Sequence, residues 1–308
     1  MTASVAGPLR RQASRRAHRA DRIATVVLWA LGAFVMLLLG AIILHFVIAS
    51  IGVVSPSFLL SDPSRTTLGG IGPLLWNSIY MLVLTMLISI PLGLLAGIYM
   101  AEYARDDAVS ATIRFAEEAI SSVPSIVVGL FGLIVFVDLT HWGFTALGGA
   151  LALTMFNLPL MARLTEQALR AVPGDERAAS LALGATRWQT IRHVVLPLGV
   201  PGIVTGFILT AGRIFGEAAA LIYTAGLSTP TRYDFFNLNI ADPRSPWSPF
   251  RPAATLSVYI WNTNAEGLGS FVTQVLNGSA AVLIAMVLIF NVGARVLGRQ
   301  LTRRLTAA

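Results

Sequence analysis

Two charged residues stand where charge is expensive. Arg213 and Glu217 lie four positions apart within the apolar stretch Val200 to Ala225, in the run Arg213-Ile214-Phe215-Gly216-Glu217. At the centre of a membrane helix each costs about 2.5–3.5 kcal/mol on insertion scales, so such a charge needs a partner or a use. Their i, i+4 spacing puts both on one helical face, close enough to pair. Two readings are open. The pair is a structural bridge inside a bundle, or it is a polar station for an anion. A guanidinium presents five N–H donors in a fork that matches a tetrahedral oxyanion. Glu217 would hold that fork while limiting its grip, since a station that binds too tightly cannot release. Asn77 and Ser125 are further candidates for the same pathway. Asn77 opens an apolar run, where such residues also cap or bridge helices. Ser125 follows Pro124, where a break in a helix would expose backbone.

Little else in the chain could do chemistry. There is no cysteine, which excludes disulfides, thiolate metal sites and cysteine nucleophiles. His45, His141 and His193 fall in separate segments, too far apart to share a metal, and no Ser/His/Asp arrangement can be argued. All 22 basic residues are arginine. A P-loop needs a lysine on the phosphates, so the chain carries no ATPase site of that kind and is expected to bind no cofactor. Any ATP and Mg²⁺ would be used by a partner.

The elements that must position Arg213 and Glu217 follow from composition. The chain has 308 residues, 55% hydrophobic and 12% charged, with mean hydropathy +0.73. A soluble domain carries about 25% charged residues. The pattern is that of an all-α polytopic membrane protein. A bilayer core needs about 20 apolar residues per helix, and six runs qualify: Ile23–Ala49, Leu74–Met100, Ile120–Leu139, Phe144–Met161, Val200–Ala225 and Ala280–Leu297. Pro159 is expected to kink or end the fourth. The first run is longer than the core of a signal peptide and five more follow it, so it reads as an anchor. Glu117 and Glu118 are expected at the inner edge of the third run, at the interface or paired with nearby arginines. Gly129 and Gly132 would permit close helix packing.

Orientation follows from arginine placement. With the N-terminus inside, seventeen arginines fall in inner segments and four in outer loops, namely Arg65, Arg232, Arg244 and Arg251. That asymmetry puts both termini in the cytoplasm. The net charge of +7 is therefore topological. No basic–aromatic interleaving accompanies it, and nucleic acid is not an expected partner. The expected organisation is an Arg-rich cytoplasmic segment (1–22), a first transmembrane helix with outer loop (23–70), a five-helix domain (71–298) and a cytoplasmic tail (299–308). Within the five-helix domain lie an inner loop, 173–197, and an outer loop, 226–278, read as ordered with short helical pieces.

The inner loop is the most informative stretch. Asp175 is placed to N-cap a short helix, with Glu176 in its first turn, and Gly184 to take the left-handed conformation that stops it. Thr186 and Gln189 form a T-x-x-Q capping box for a second helix, which Pro197 is expected to close. Leu181, Leu183, Ala185, Trp188 and Ile191 are too apolar for a solvated hairpin and call for a partner surface.

At this loop the sequence resembles the EAA loop of ABC importer permeases. The family pattern is E-A-A, three residues, G, nine residues, an apolar residue, one more, then L-P; Ala178-Ala179-Ser180, Gly184, Val194 and Leu196-Pro197 occupy those places. The glutamate position holds Ala178, and Glu176 or Arg177 could substitute for it. Further stretches narrow the likeness: Asn77-Ser78, Gly97-Ile98-Tyr99-Met100-Ala101-Glu102-Tyr103, Pro124-Ser125-Ile126 with Gly129 and Gly132, Leu181 to Thr186, and Arg213 to Leu221. Together they resemble the permeases of phosphate-specific ABC transporters from about Trp76 onward. Tyr223-Thr224-Ala225-Gly226 and Thr255 to Trp261 are more similar to the A subunit, although Ala218 and Ala220 depart from its G-E-T-A-P-L. The resemblance implies a type I importer permease with six transmembrane helices and a cytoplasmic coupling helix. It implies contact with the ATPase through Arg177, Ala178, Ala179, Ser180, Leu183, Gly184, Ala185, Trp188, Leu196 and Pro197. The implied partners are a similar permease, two ATP-binding cassette subunits and an extracytoplasmic phosphate-binding protein. It also implies that the Arg213-x-x-Gly216-Glu217 run serves phosphate passage. The alternatives are a permease for sulfate, molybdate or phosphonate, or a stand-alone channel or secondary carrier.

Overall fold

The computed structural model describes residues 8–64, 69–229, 233–266 and 270–306, and their regular structure is entirely helical. Arg65 and Arg232, assigned above to outer loops, lie outside the described residues. The chain divides into two units, Met1–Ile51 and Gly52–Ala308. The first unit is one helix, α1 (Pro8–Ala49). Its apolar window, Asp21–Ala49, is long enough to span a bilayer, and large side chains such as Trp29, Phe34 and Leu37 are exposed along it as lipid-facing groups are.

The second unit opens with α2 (Pro56–Leu60), whose N-cap Ser55 accepts from the Phe58 N–H. Then come α3 (Gly72–Ile98), α4 (Ala108–Ser122), α5 (Ser125–Gly132) and α6 (Ala146–Arg170). The hairpin helices α7 (Gly174–Ala182) and α8 (Arg187–Thr190) lead into α9 (Leu196–Gly216). The chain ends with α10 (Ala219–Thr224), α11 (Leu256–Glu266) and α12 (Ser270–Thr306). Side-chain caps fix several starts: Asp107 accepts from Ser110 N–H, and Thr145 from Gly148 N–H, each at 3.0 Å.

Among the described residues, five helical segments are long and apolar enough to cross a membrane, and α4 with α5 makes a sixth crossing if the bent pair is one span. The break that Pro124 and Ser125 suggest in the third span is present. Pro124 cannot donate a backbone hydrogen bond, and the axis turns by 96° between α4 and α5. Glu117 and Glu118 lie on α4, and Glu118 stands 4.0 Å from Arg163.

The fourth span is corrected. Of the two expectations for Pro159, a kink or an end, the end is excluded: α6 continues eleven residues further to Arg170, because packing on both sides outweighs one missing hydrogen bond. The fifth span is not one helix to Ala225; α9 ends at Gly216. The sixth begins at Ser270, ahead of the expected Ala280, so the outer loop is shorter than 226–278.

Small residues set the helix spacing in the core. A Cβ on Gly97 of α3 would overlap Thr165 of α6. One on Gly129 would stand 2.9 Å from the Ala220 Cα, and one on Gly132 would stand 2.6 Å from the Thr224 Cγ2. The expected close packing at Gly129 and Gly132 is present, and its partner is α10. Leu74, Met81, Leu153, Phe215 and Leu221 are buried together in the main core; Leu169, Ile191, Val195 and Ile203 form a second core beneath the hairpin.

Candidate functional site

The fifth span breaks at the charged residues. Gly216, a weak helix former, is the last residue of α9, and Glu217 is extended (φ −75°, ψ 125°). The break swings Glu217 away from Arg213, and no ion pair joins them among the described residues. The expected pairing is corrected, since i, i+4 geometry requires a helix that does not exist there. Glu217 instead joins pieces of backbone: its Oε1 accepts from the Ala220 N–H at 3.3 Å, and its carbonyl accepts from the Ser257 hydroxyl at 2.7 Å. Arg213 stacks on the Phe156 ring at 3.8 Å from its centroid, and the N–H edges of its fork meet no acceptor among the described residues. Ser125 begins α5, half-buried, directly after the break in the third span. The second halves of both broken spans, α5 and α10, run side by side through Gly129–Ala220 and Gly132–Thr224.

Of the two readings open for Asn77, the geometry shows the bridging one. It is wholly buried, and its Nδ2 donates to the Ala254 carbonyl at 2.9 Å. Its Oδ1 accepts from Arg251 Nη1 and from the Tyr233 hydroxyl, each at 2.8 Å. Arg251, counted from sequence only as a loop charge, is 0% exposed. Its fork also donates to Tyr233 Oη at 2.7 Å and to the Pro246 carbonyl at 2.8 Å. Burial pushes the guanidinium down from its ordinary value, and the same burial raises the Tyr233 hydroxyl against the pull of Arg251. Next to this clasp, Ser78 Oγ accepts from the Leu256 N–H at 2.9 Å. The loop before α11 and the first turn of α11 are thus tied to α3 on one side and, through Ser257, to Glu217 on the other. Replacing Asn77 by alanine removes three buried hydrogen bonds and strips an acceptor from a buried charge. At about 1–3 kcal/mol for each buried group left unpaired, local opening of the loop rises by roughly 100-fold. The expected result is trypsin cleavage after exposed Arg244 faster by that order in the purified protein; an unchanged cleavage rate would contradict the clasp.

The hairpin forms much as its sequence indicates. Gly184 adopts φ +86°, the left-handed conformation that favours glycine. Both halves of the Thr186–Gln189 box are made, Thr186 N–H to Gln189 Oε1 at 2.8 Å and Gln189 N–H to Thr186 Oγ1 at 3.3 Å. Ser180 and Thr190 hydroxyls bridge α7 to α8 at 2.9 Å.

Three details differ. Pro173 is the N-cap, with Asp175 in the first turn. Pro197 does not close α8. A π turn over Ile191–Val195 shifts bonding to i→i+5, with Leu196 N–H donating to the Ile191 carbonyl, and the helix runs through Pro197 into α9. Ile191 is buried at 1% exposure and belongs to the second core.

Ala178, Ala179, Leu181 and Trp188 are exposed, Ala185 is half-buried, and Leu183 is 90% exposed. Arg177 faces inward. Its Nη2 lies 2.9 Å from Glu102 Oε1 and 2.7 Å from the Leu169 carbonyl, and Nη1 donates to the Val172 carbonyl at 2.6 Å. Arg177 is therefore corrected from a contact residue to a strut that holds the hairpin. Arg187 braces the same point: it donates to the Glu102 carbonyl and lies over the Tyr103 ring at 4.9 Å from the centroid. Glu102 went unassigned from sequence; an acid closing the apolar run Gly97 to Tyr103 was the available signal. Nearby, Glu166 holds Arg170 at 3.0 Å and Arg114 at 3.2 Å.

Repeated membrane-spanning helices, a fifth span broken after Gly216 and a braced, apolar-tipped hairpin describe a polytopic helical membrane protein. Residues 89–307 match the family described as the binding-protein-dependent transport system inner membrane component. The Probable ABC transporter permease protein YqgI of Bacillus subtilis is 48% identical over 288 residues, covering 93% of this chain and 98% of that one. The phosphate transport system permease protein PstA of Xylella fastidiosa is 35% identical over 240 residues, 78% of each chain. Among solved structures, an inward-facing MetNI methionine ABC transporter aligns with TM-score 0.54 at 21% identity, over 74% of this chain and 94% of that one. A bacterial ABC transporter that imports the acidic polysaccharide alginate aligns with TM-score 0.56 at 12% identity, over 94% and 99%. The chain belongs to the binding-protein-dependent inner membrane component family, the permease subunits of ABC importers, which work with an ATPase and a binding protein.

Proposed function

We propose that this chain is one permease of an ATP-driven importer of inorganic phosphate, with Arg213 as the anion station in its pathway. The observation that carries the reading is a half-buried guanidinium at the break in the fifth span, with no acidic partner among the described residues. An Arg213 held by a carboxylate would be neutralised; stacked on Phe156, it keeps its charge and its fork for a tetrahedral oxyanion. The PstA relatives support phosphate as the substrate.

In this reading a second, similar permease completes the pathway. Two ATP-binding subunits, which use the ATP and Mg²⁺, dock on the hairpins, and an external phosphate-binding protein delivers substrate. Both termini and the hairpin face the cytoplasm of the cell membrane, a reading the arginine asymmetry supports. A motor is physically needed: moving an anion into a negative interior costs about 2.3 kcal/mol per charge per 100 mV, and an open pore would leak phosphate outward.

The test is uptake by proteoliposomes holding the assembled complex and its binding protein. ATP-dependent accumulation of labelled phosphate, not matched by sulfate, molybdate or phosphonate, is the expected result. Preference for one of those anions would reassign the substrate, and uptake by this chain without ATP would end the importer reading.

A further inference from the structure

α9 and α12 run antiparallel: Gly212 stands opposite Asn291, and Gly298 stands opposite Val204. The first turns of α9, which follow the hairpin, therefore lie beside the last turns of α12. At this end a cleft of about 550 Å³ opens between them. Val204, Ile208 and Leu209 line it with apolar surface, and Arg295 and Arg299, one helical turn apart on α12, also line it. A Cβ at Gly298 would come within 2.6 Å of Val204 Cγ1, so the two helices nearly touch between the arginines and the apolar wall.

Several other arginines near the hairpin face are engaged. Arg114 and Arg170 meet Glu166, Arg163 meets Glu118, and Arg177 meets Glu102. Arg295 and Arg299 make no ion pair or hydrogen bond among the described residues, and no acidic residue lines the cleft. Two guanidiniums without acidic partners at the membrane-surface end of an apolar furrow complement an amphiphile with a phosphate head and an alkyl tail. Their donor forks suit phosphate oxygens, while their aliphatic stems lie along the apolar wall.

We propose that this cleft is a binding site for an anionic phospholipid, its phosphate held by Arg295 and Arg299 and its first acyl carbons against Ile208 and Leu209. Basic pockets between membrane helices bind such headgroups on electrostatic grounds. Free phosphate offers the same oxygens but gains nothing from the apolar wall, so the lipid is favoured. The site is separate from the Arg213 station and stands whichever anion is carried.

The test is native mass spectrometry of the full chain, with its co-purifying subunits, titrated with dioleoyl phosphatidylglycerol or dioleoyl phosphatidylcholine. We expect one saturable phosphatidylglycerol adduct per chain, and phosphatidylcholine binding weaker by about 10-fold or more. R295Q/R299Q should lose phosphatidylglycerol by a similar factor at unchanged thermal stability, and R295K/R299K should retain most of it. Equal binding of the two lipids, or an adduct insensitive to the glutamine pair, would overturn the proposal. Displacement of phosphatidylglycerol by millimolar inorganic phosphate would also overturn it, assigning the cleft to the free anion. If the glutamine pair does not fold, the wild-type comparison of two lipids and inorganic phosphate decides alone.

Discussion

Arg213→Ala is expected to abolish phosphate uptake by the reconstituted complex while leaving subunit assembly unchanged. The side chain stacks on one ring and forms no hydrogen bond or ion pair among the described residues, so little of the fold depends on it. A charged donor pair facing a desolvated oxyanion contributes about 1.5–3 kcal/mol per bond, and losing it lowers the rate by on the order of 100-fold. Arg213→Lys keeps the charge but loses the fork, and a partial loss is expected. Glu217→Gln separates two accounts of the neighbour. If Glu217 serves as a backbone clasp for α10, glutamine still offers an oxygen to the Ala220 N–H, and uptake survives. If it serves to neutralise Arg213, removing its charge tightens the grip on phosphate and slows release. The geometry favours the first outcome. Wild-type uptake in Arg213→Ala would remove the station from the pathway.

The second large effect is expected at the hairpin. Leu183 presents 90% of its surface at the turn between α7 and α8, and a side chain so exposed adds little to the stability of its own chain. Leu183→Asp therefore leaves thermal stability unchanged. If the hairpin docks in a partner groove, the substitution buries a carboxylate at the centre of that contact. A central apolar anchor is worth about 2 kcal/mol or more, so affinity for the ATP-binding subunit falls by roughly 30-fold and ATP-driven uptake falls with it. Full affinity and full uptake in this variant would mean that the motor docks elsewhere. Arg177→Ala should behave differently, because its loss loosens the hairpin itself: it frees Glu102 and two backbone carbonyls.

What could be read from sequence was set by how local the governing interactions are. Gly184 and the Thr186–Gln189 box were legible because their geometry closes within four residues. The apolar runs were legible because lipid imposes length and hydropathy directly. The break after Gly216 was not, since the i, i+4 rule presupposes the helix it would need to test, and Glu217 is held in place by Ser257, forty residues away. Pro159 and Pro197 misled in the same direction. The first is carried by packing on α3 and α9, and the second by a π turn that moves the bonding register. Arg251 was invisible as a functional residue because its acceptor Asn77 lies 174 positions away, and nothing near it in sequence marks it as buried.

The strut at Glu102 has a mechanical consequence. Arg177 and Arg187 fasten the hairpin to the end of the segment that follows α3, and Arg177 also grips the last turns of α6. A load applied at the hairpin tip is thus delivered to two long rods at once, with little give at the joint. The nearest extended backbone along the fifth span is at Glu217, so thrust that begins as translation at one surface would be converted to swing beside the arginine at the break.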